Sequence, residues 1–552
     1  MRRATILVAL VLSAVAPALA QAPVEYRLSF PEPEHHWMQV DVRFSELPNQ
    51  PLELRMSRAS PGRYALHEFA KNVYDVEVVD GAGRRLAATR PNPHEWDLAA
   101  HGGELRVRYK VFGDLIDGTY LAVDSTHAHL NMPAALMWAR GLDRRPVQVT
   151  FVAPQGRMWK VATQLFPTKD PLTFTAPNLQ YLMDSPAEFG EFSVASFSVP
   201  FRPGAAESAT FRITLHHDGT DEELARYASD VEKVVREERA IYGELAPFDT
   251  GTYTFLADYL PFADGDGMEH RNSAVVTSSG ALRNARQRQG LLGTVAHEFF
   301  HSWNVERIRP RSLEPFNFED ANFGNTFISY YTYGAAIALG LDLTLRDRTN
   351  GKVTLDDFMR AMWLKHGRPG VRVPGYVETP YTLQDVRTRL AEVSGDAAFA
   401  NEFANRYIEG REVVDYGRLL ARAGMVLRRR DPGRAWMGNV QFNYGPGGAR
   451  VNAAVPSGTP AYQAGLDRDD MITSLDGAPV ETAQALANVL ARHKPGDSIA
   501  VVYTRRRAPV AATITLAEDP SLEVALAETA GRSLSDAERA FRDAWLGTRV
   551  KE

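Results

Sequence analysis

The chain contains no cysteine. That absence excludes disulfides, thiolate metal ligands and cysteine nucleophiles together, so any metal it binds is held by imidazole and carboxylate. It also lacks a strong charge of either sign. Lys and Arg total 62 against 68 Asp and Glu, a net charge of -6 over 552 residues, without the concentrated basic surface that non-specific nucleic-acid binding needs. There is no low-complexity tract, and no segment after the N-terminal stretch is apolar enough to span a bilayer. A hydrophobic fraction of 44% beside a charged fraction of 24% is that of a globular protein. At this length one core does not suffice, and roughly two to four domains are expected.

What is present begins with MRRATILVALVLSAVAPALAQAP. Arg2 and Arg3 precede an apolar run broken by Pro17, and Ala18-Leu19-Ala20 forms a small-x-small cleavage site. Residues 1–20 are therefore expected to be a secretory signal peptide rather than an anchor. The mature chain is expected to be secreted or periplasmic, with no membrane span and no nucleic-acid partner.

Residues 24–199 read as short alternating segments (YRLSF, MQVDVRF, ELRVRYKVF, VQVTFVA) between Pro, Gly and Asn turns, which implies an all-β sandwich. Near Asp218 the period changes to that of helices, with Thr220 or Asp221 as N-cap, and the helical character runs to about Gly424 with a stop at Asn350-Gly351. Strands return after the basic run Arg428 to Arg430. There SGTPAYQAGL, followed by D-x-I-x-x-x-D-G, resembles a PDZ domain, which holds a peptide against a sheet edge. The resemblance places the ligand-carboxylate loop at Trp436, Met437 and Gly438, with a C-terminal peptide as ligand; a PDZ acting only as a spacer is the alternative. SLSDAERAFRDAWLG closes the chain as an amphipathic helix.

The chemistry centres on GTVAHEFFHSWN, residues 293–304. His297 and His301, four apart on a helix, stand on one side at the spacing with which two imidazoles grip one Zn2+ ion. Glu298 lies beside the first histidine, placed to act as general base on water polarised by the metal. Two histidines at this spacing also occur as ordinary surface or core residues, so the motif needs its context.

VAHEFFHSWNVERIRP supplies it: H-E-x-x-H followed by W-N-x-x-R-I-x-P resembles peptidase family M61, the glycyl aminopeptidase-like gluzincin metallopeptidases. RASPGRYALHEFAKNVYDV is similar to that family's β-rich N-terminal domain, and DGDGMEHRNSAVV to its G-x-E-H-R-N-S strand. The resemblance implies a multidomain α+β chain: an N-terminal β-sandwich (21–200), a mainly helical, thermolysin-like catalytic domain (201–425), a PDZ-like β-barrel (433–518) and a helical tail (519–552). It further implies a zinc metallopeptidase acting on small N-terminal residues of peptides. Glu269 is the candidate for holding the substrate's α-amine, with Gly267, Met268 and Asn272 shaping the strand; a solvated charge cluster is the alternative for residues 269–271. Tyr330 and Tyr331 match a cleft segment of the family, where either could donate a hydrogen bond to a developing oxyanion; packing on an apolar helix is the competing role.

One element is missing from the pattern. The family's third zinc ligand is a glutamate in a W-x-x-E-G-x-T-x-Y-Y segment, and after Asn322 that segment is absent from this chain. Glu409-Gly410 lies too far downstream. Glu306, Glu314, Glu319 and Asp320 remain, with Glu319 and Asp320 as weak substitutes and surface charge the expectation for all four. The loss of a helix should also bare apolar surface on its neighbours. Two rival readings follow, a peptide-binding protein descended from the enzyme and a sequence that has lost a stretch its relatives keep. His127, His129 and the His216-His217-Asp218 run are expected to be turn and surface residues.

Overall fold

The computed structural model describes residues 21–63, 65–312 and 322–550, without the side chain of Phe323. The expected signal peptide and Glu314, Glu319 and Asp320 lie outside these residues.

The alternating N-terminal segments form a nine-stranded and a four-stranded sheet around one core. Val24–Glu32 runs between Trp37–Arg55 and Val147–Val152. Its Val24, Tyr26, Leu28 and Phe30 are buried at alternate positions, as a half-covered strand requires. Phe30, Trp159 and Phe189 join the two sheets, with ring centroids 5.2 to 5.7 Å apart.

The boundary expected at residue 200 falls earlier. Ser193–Pro200 pairs along its whole length with Ser208–His217, and both belong to a second, five-stranded sheet continued by Thr252–Tyr259, Ser273–Ser278 and Asp266–His270. The catalytic region thus opens on a sheet and is not mainly helical from its start. Its inner strands, TYTFLADY and SAVVTS, are buried almost throughout, so they carry continuous apolar runs that period-2 patterning does not mark. Two helices pack on this sheet, Asp221–Tyr242 and Ala285–Phe300. The first starts at a Thr220–Glu223 capping box, one of the two N-caps expected, and the helix Tyr330–Thr349 ends at Asn350, whose φ of 52° makes the expected stop.

The first half of that last helix is only partly covered. None of its residues 330–339 is buried, although they read YYTYGAAIAL, and Ile328 and Tyr331 are 73% and 55% exposed.

The PDZ region is an open sheet rather than the expected barrel. Its hydrogen-bonded path runs from Phe442–Gly445 through Gly448–Val451, Met471–Leu475 and Ser498–Arg505 to Ala508–Thr515, and Ala435–Trp436 pairs separately with Ala517–Glu518. The tail is not helical from residue 519, because Leu522–Leu526 first pairs with Met425–Arg429. The chain therefore enters and leaves the PDZ through one ribbon. The closing helix Asp536–Leu546 then returns Phe541 and Trp545 to the catalytic core, locked by an Arg549–Asp356 ion pair of 2.8 Å.

Candidate active site

The helix Ala285–Phe300 begins at Asn284, whose side chain accepts hydrogen bonds from the Arg286 and Gln287 amides. Leu291, Val295 and Phe299 bury one face, and Phe299 packs on Phe211, Tyr253 and Trp303 with centroids 5.1 to 5.5 Å away. The opposite face carries Thr294, His297, Glu298 and His301 into a cleft of about 830 Å³. The His297 and His301 Nε2 atoms face each other at 3.2 Å. Two nitrogens bound at ~2.0–2.1 Å to one tetrahedral ion stand about 3.3 Å apart, so the pair fits zinc. His301 Nδ1 lies 2.7 Å from the Asn304 carbonyl, which fixes the proton there and leaves Nε2 as a ligand. Burial lowers both imidazoles, that of His297 with help from His301 and that of His301 against the Asn304 carbonyl, so both are neutral as ligation requires.

The residues after the histidines are structural supports. Trp303 is fully buried and stacks on Tyr242 at 4.5 Å. The Arg307 guanidinium, 4% exposed, donates to the carbonyls of Ser302 (2.7 Å), Arg271 (3.1 Å) and Pro247 (2.5 Å) and to Asn272 Oδ1 (3.3 Å). Ile308 is buried beside them. The W-N-x-x-R-I run thus clamps the end of the histidine helix to the neighbouring hairpin.

That hairpin is Asp266–His270 paired with Ser273–Ser278. Strand alternation divides its residues. Gly267 and Glu269 line the cleft. Met268 points to the other side, buried with Ala162, Leu256 and Val275, and does not line the cleft as expected. Asn272 is also elsewhere: it sits in the two-residue turn, 1% exposed, where it donates to Asp249 (2.8 Å), Tyr181 (3.0 Å) and, through its amide, Gln164 (2.7 Å). Arg271 bonds Asp249 at 2.8 Å and His270 contacts Asp184 at 3.1 Å. A buried turn needs such partners for its polar groups, which explains the H-R-N-S part of the motif; a solvated cluster is excluded.

Glu298 and Glu269 face the histidines. Oxygens of both carboxylates lie within 4.8 Å of each other and of a His301 nitrogen. Burial, with Glu269 and Asp266 adding to it, pushes the Glu298 carboxyl up to about 9, and its Oε2 has no hydrogen-bond partner. Burial raises Glu269 as well, at 6% exposure. Two buried carboxylates beside two neutral imidazoles form a site that a cation completes. Tyr331 reaches it, its ring 6.4 Å from that of His297, whereas Tyr330 also lines the cleft but packs against Phe327 at 5.8 Å.

The sequence reading missed Arg63 and Asp266. Both line the cleft. They form an ion pair, and Asp266 accepts the Gly118 amide at 2.9 Å, so the N-terminal domain closes one wall of the cleft. The R-A-S-P-G-R-Y run was the available signal. Among the described residues the one triad joining a helix histidine to other ligand types is Glu269, Glu298 and His301; no third ligand on a following helix is among them. Glu306 is not surface charge but 4% exposed and paired with Arg309 at 2.9 Å, and Glu409 pairs with Arg387.

Two other groups are relocated. His127 and His129 are 1% exposed on a central strand, and His216 and His217 are the last two residues of another strand, so none is a turn or free surface residue; Asp218 is exposed as expected. In the PDZ, Met437 is buried with its carbonyl bound by the Ala461 amide at 2.7 Å, Trp436 Nε1 donates to Asn439, and Gly438 adopts φ +126° against Thr459. These three precede the edge strand Phe442–Gly445, where an added peptide strand would pair.

Residues 25–191 match the peptidase M61 N-terminal domain, residues 290–330 the M61 glycyl aminopeptidase and residues 426–516 a PDZ domain. No curated protein matches the sequence. Among solved structures, an aminopeptidase N family protein from Idiomarina loihiensis is similar at TM-score 0.74 and 20% identity, over 94% of this chain and 99% of that one. An M1 zinc metallopeptidase from Deinococcus radiodurans follows at TM-score 0.40 and 13% identity, over 72% and 96% of the two chains. The N-terminal domain, the histidine helix and the C-terminal PDZ thus each match a family model, the first two being models of peptidase M61 domains, which the chain resembles.

Proposed function

We propose that this chain is an exported zinc aminopeptidase that releases small N-terminal residues, glycine or alanine, from peptides. One observation carries the reading: two neutral imidazoles face each other at 3.2 Å beside a buried, unpartnered carboxylate oxygen, in a cleft with a second carboxylate. The choice of small residues rests on the family, whose model is that of a glycyl aminopeptidase, and export on the leader-like N-terminus.

Zinc held by His297 and His301 would supply Lewis acidity, polarising the scissile carbonyl and making water a nucleophile near neutral pH. The chain's own residues do the rest. Glu298 takes a proton from the attacking water and returns it to the leaving nitrogen as the C–N bond breaks. Glu269 pairs with the substrate's α-ammonium, in a shielded cleft where such a pair is stronger than in water. Tyr331 donates to the carbonyl oxygen as its charge develops.

A second reading has its own observation. The described residues place no third ligand on a following helix, and residues 330–339 of the helix Tyr330–Thr349 are not buried. A chain that binds peptides through its cleft and PDZ without hydrolysing them fits that fact. The two separate on zinc content after dialysis and on hydrolysis of glycyl and alanyl amides, with Glu298→Gln as control. Stoichiometric zinc and activity lost in the variant support the enzyme; a metal-free, inactive, peptide-binding chain supports the alternative.

A further inference from the structure

A second cluster of ligand-type residues lies between the N-terminal domain and the catalytic sheet. His127 and His129 stand two apart on the strand His127–Leu130 and so share a face. Asp258 and His216 are neighbours in register on the paired strands Thr252–Tyr259 and Ser208–His217. The two pairs meet: His127 Nε2 lies 3.6 Å and His216 Nδ1 3.7 Å from Asp258 Oδ1, with the two rings 3.9 Å apart.

The hydrogen bonds around the cluster sort its members. His129 is spoken for on both sides, by Glu188 Oε1 at 2.5 Å and by the Asp117 carbonyl at 2.8 Å. His127 Nδ1 faces Asp124 Oδ1 at 3.3 Å, and His216 Nε2 faces Thr126 Oγ1 at 3.4 Å. With those nitrogens carrying the protons, the opposite nitrogen of each ring presents a lone pair. Neither His127 Nε2, nor His216 Nδ1, nor Asp258 Oδ1 has a hydrogen-bond partner, although His127 is 1% and Asp258 0% exposed; Asp258 Oδ2 lies 3.3 Å from His129 Nδ1. A buried carboxylate oxygen left unsatisfied is costly, and Asp258 Oδ1 shares its surroundings with two unpartnered imidazole nitrogens, all three within 4.8 Å of one another, an arrangement that one shared cation would satisfy.

We propose that His127 Nε2, His216 Nδ1 and Asp258 Oδ1 bind a second divalent transition-metal ion, of the zinc class, which bolts the N-terminal domain to the catalytic domain. Separations of 3.6 and 3.7 Å are close to the roughly 3.3–3.6 Å between donors at ~2.0–2.1 Å from a tetrahedral or trigonal ion. Two imidazoles and one carboxylate suit zinc, cobalt or iron and not calcium or magnesium. Asp124 and Thr126 orient the ligating rings, as outer partners of metal histidines do. His216, 17% exposed in its side chain, leaves the route by which an ion enters. The site is structural: Asp258 pairs in register with Thr277 of the cleft wall, so the ion would hold the wall and take no part in hydrolysis.

The test uses the full chain with the helix site removed by His297→Ala and His301→Ala, titrated with Co2+ or Zn2+ alone. The expected result is one ion per chain by elemental analysis, a visible Co2+ spectrum of low-coordinate type, and a raised thermal midpoint when Zn2+ is added. Adding His216→Ala, at the exposed edge of the cluster, should abolish all three. A chain that holds no ion, with no cobalt spectrum and no thermal shift, would overturn the proposal and leave a proton on His127 as the neutralising cation. So would an ion that survives His216→Ala together with Asp258→Asn. The measurement on the chain lacking only the helix histidines decides the matter even where further variants fail to fold.

Discussion

Gly267 lies against Glu298 so closely that a methyl group on its Cα would stand 2.1 Å from the Glu298 Oε1 atom. The strand that lines the cleft and the helix that carries the histidines therefore touch at Glu298, the proposed general base, and only a residue without a side chain lets the carboxylate take that position. Gly267→Ala should leave the fold intact, because the clash falls on the end of a side chain, and should move Glu298 off its mark. Misplacing a catalytic group by about 1 Å costs about a hundredfold. Steady-state hydrolysis of a glycyl amide should show that loss in kcat, with zinc content and thermal midpoint unchanged.

Arg307 offers a stability test. Its guanidinium satisfies three carbonyls and the Asn272 amide oxygen in the buried turn. Arg307→Leu would leave those acceptors bare, and breaking a buried charged network of this kind costs about 3–5 kcal/mol. The chemical denaturation midpoint should fall accordingly. Zinc affinity should weaken with it, because the same network holds the turn that follows His301. Lysine cannot restore a planar fork, so Arg307→Lys should recover only a small part of the loss.

How much of this was legible beforehand follows from which forces act locally. The histidine helix, the Thr220 cap and the Asn350 stop are signalled within one or two turns of chain, and the sequence displays them. The family-like G-x-E-H-R-N-S run pointed to the right hairpin but not to the roles within it. Assigning Met268 and Asn272 to the cleft ignored strand alternation and the turn between the strands, and the partners that satisfy the turn, Asp249, Asp184 and Gln164, lie as much as 108 positions away. His216 meets Thr126, the neighbour of His127, from 90 residues away, so nothing local announces that the two histidines meet. Arg63 was hidden for the same reason. It reaches the cleft from a different domain.

Glu298 also makes stability depend on pH. Its folded-state carboxyl, raised by burial and by Glu269 and Asp266 to about 9, binds a proton that the unfolded chain, with a glutamate near 4.3, has released. Where the folded state binds more protons, stability falls as pH rises. For metal-free protein this loss should run from about pH 4.5 to about pH 9. Chelated wild-type protein should show a declining thermal midpoint across that range, and chelated Glu298→Gln a flatter profile. Zinc should flatten the wild-type curve as well, since a cation stabilises the ionised form. Equal slopes for chelated wild type and variant would remove Glu298 as the source.

Tyr330 and Tyr331 are consecutive on one helix and stack with ring centroids 5.0 Å apart, but their other ring contacts differ. Tyr331 is 55% exposed with its ring toward His297, while Tyr330 packs on Phe327. A donor that acts on the developing oxyanion stabilises the transition state and not the bound substrate, so its removal lowers kcat and leaves KM nearly constant. Tyr331→Phe should lower kcat by about a hundredfold, the low end of what one oxyanion donor contributes. Tyr330→Phe keeps the ring that Phe327 and Tyr331 contact, and no histidine ring contact is lost with it, so its kcat should stay within about twofold of wild type. Reversal of that order would move the oxyanion role to Tyr330. Equal, small effects would assign the donor to another group in the cleft, for which Arg63, already on its wall, is the next residue to substitute.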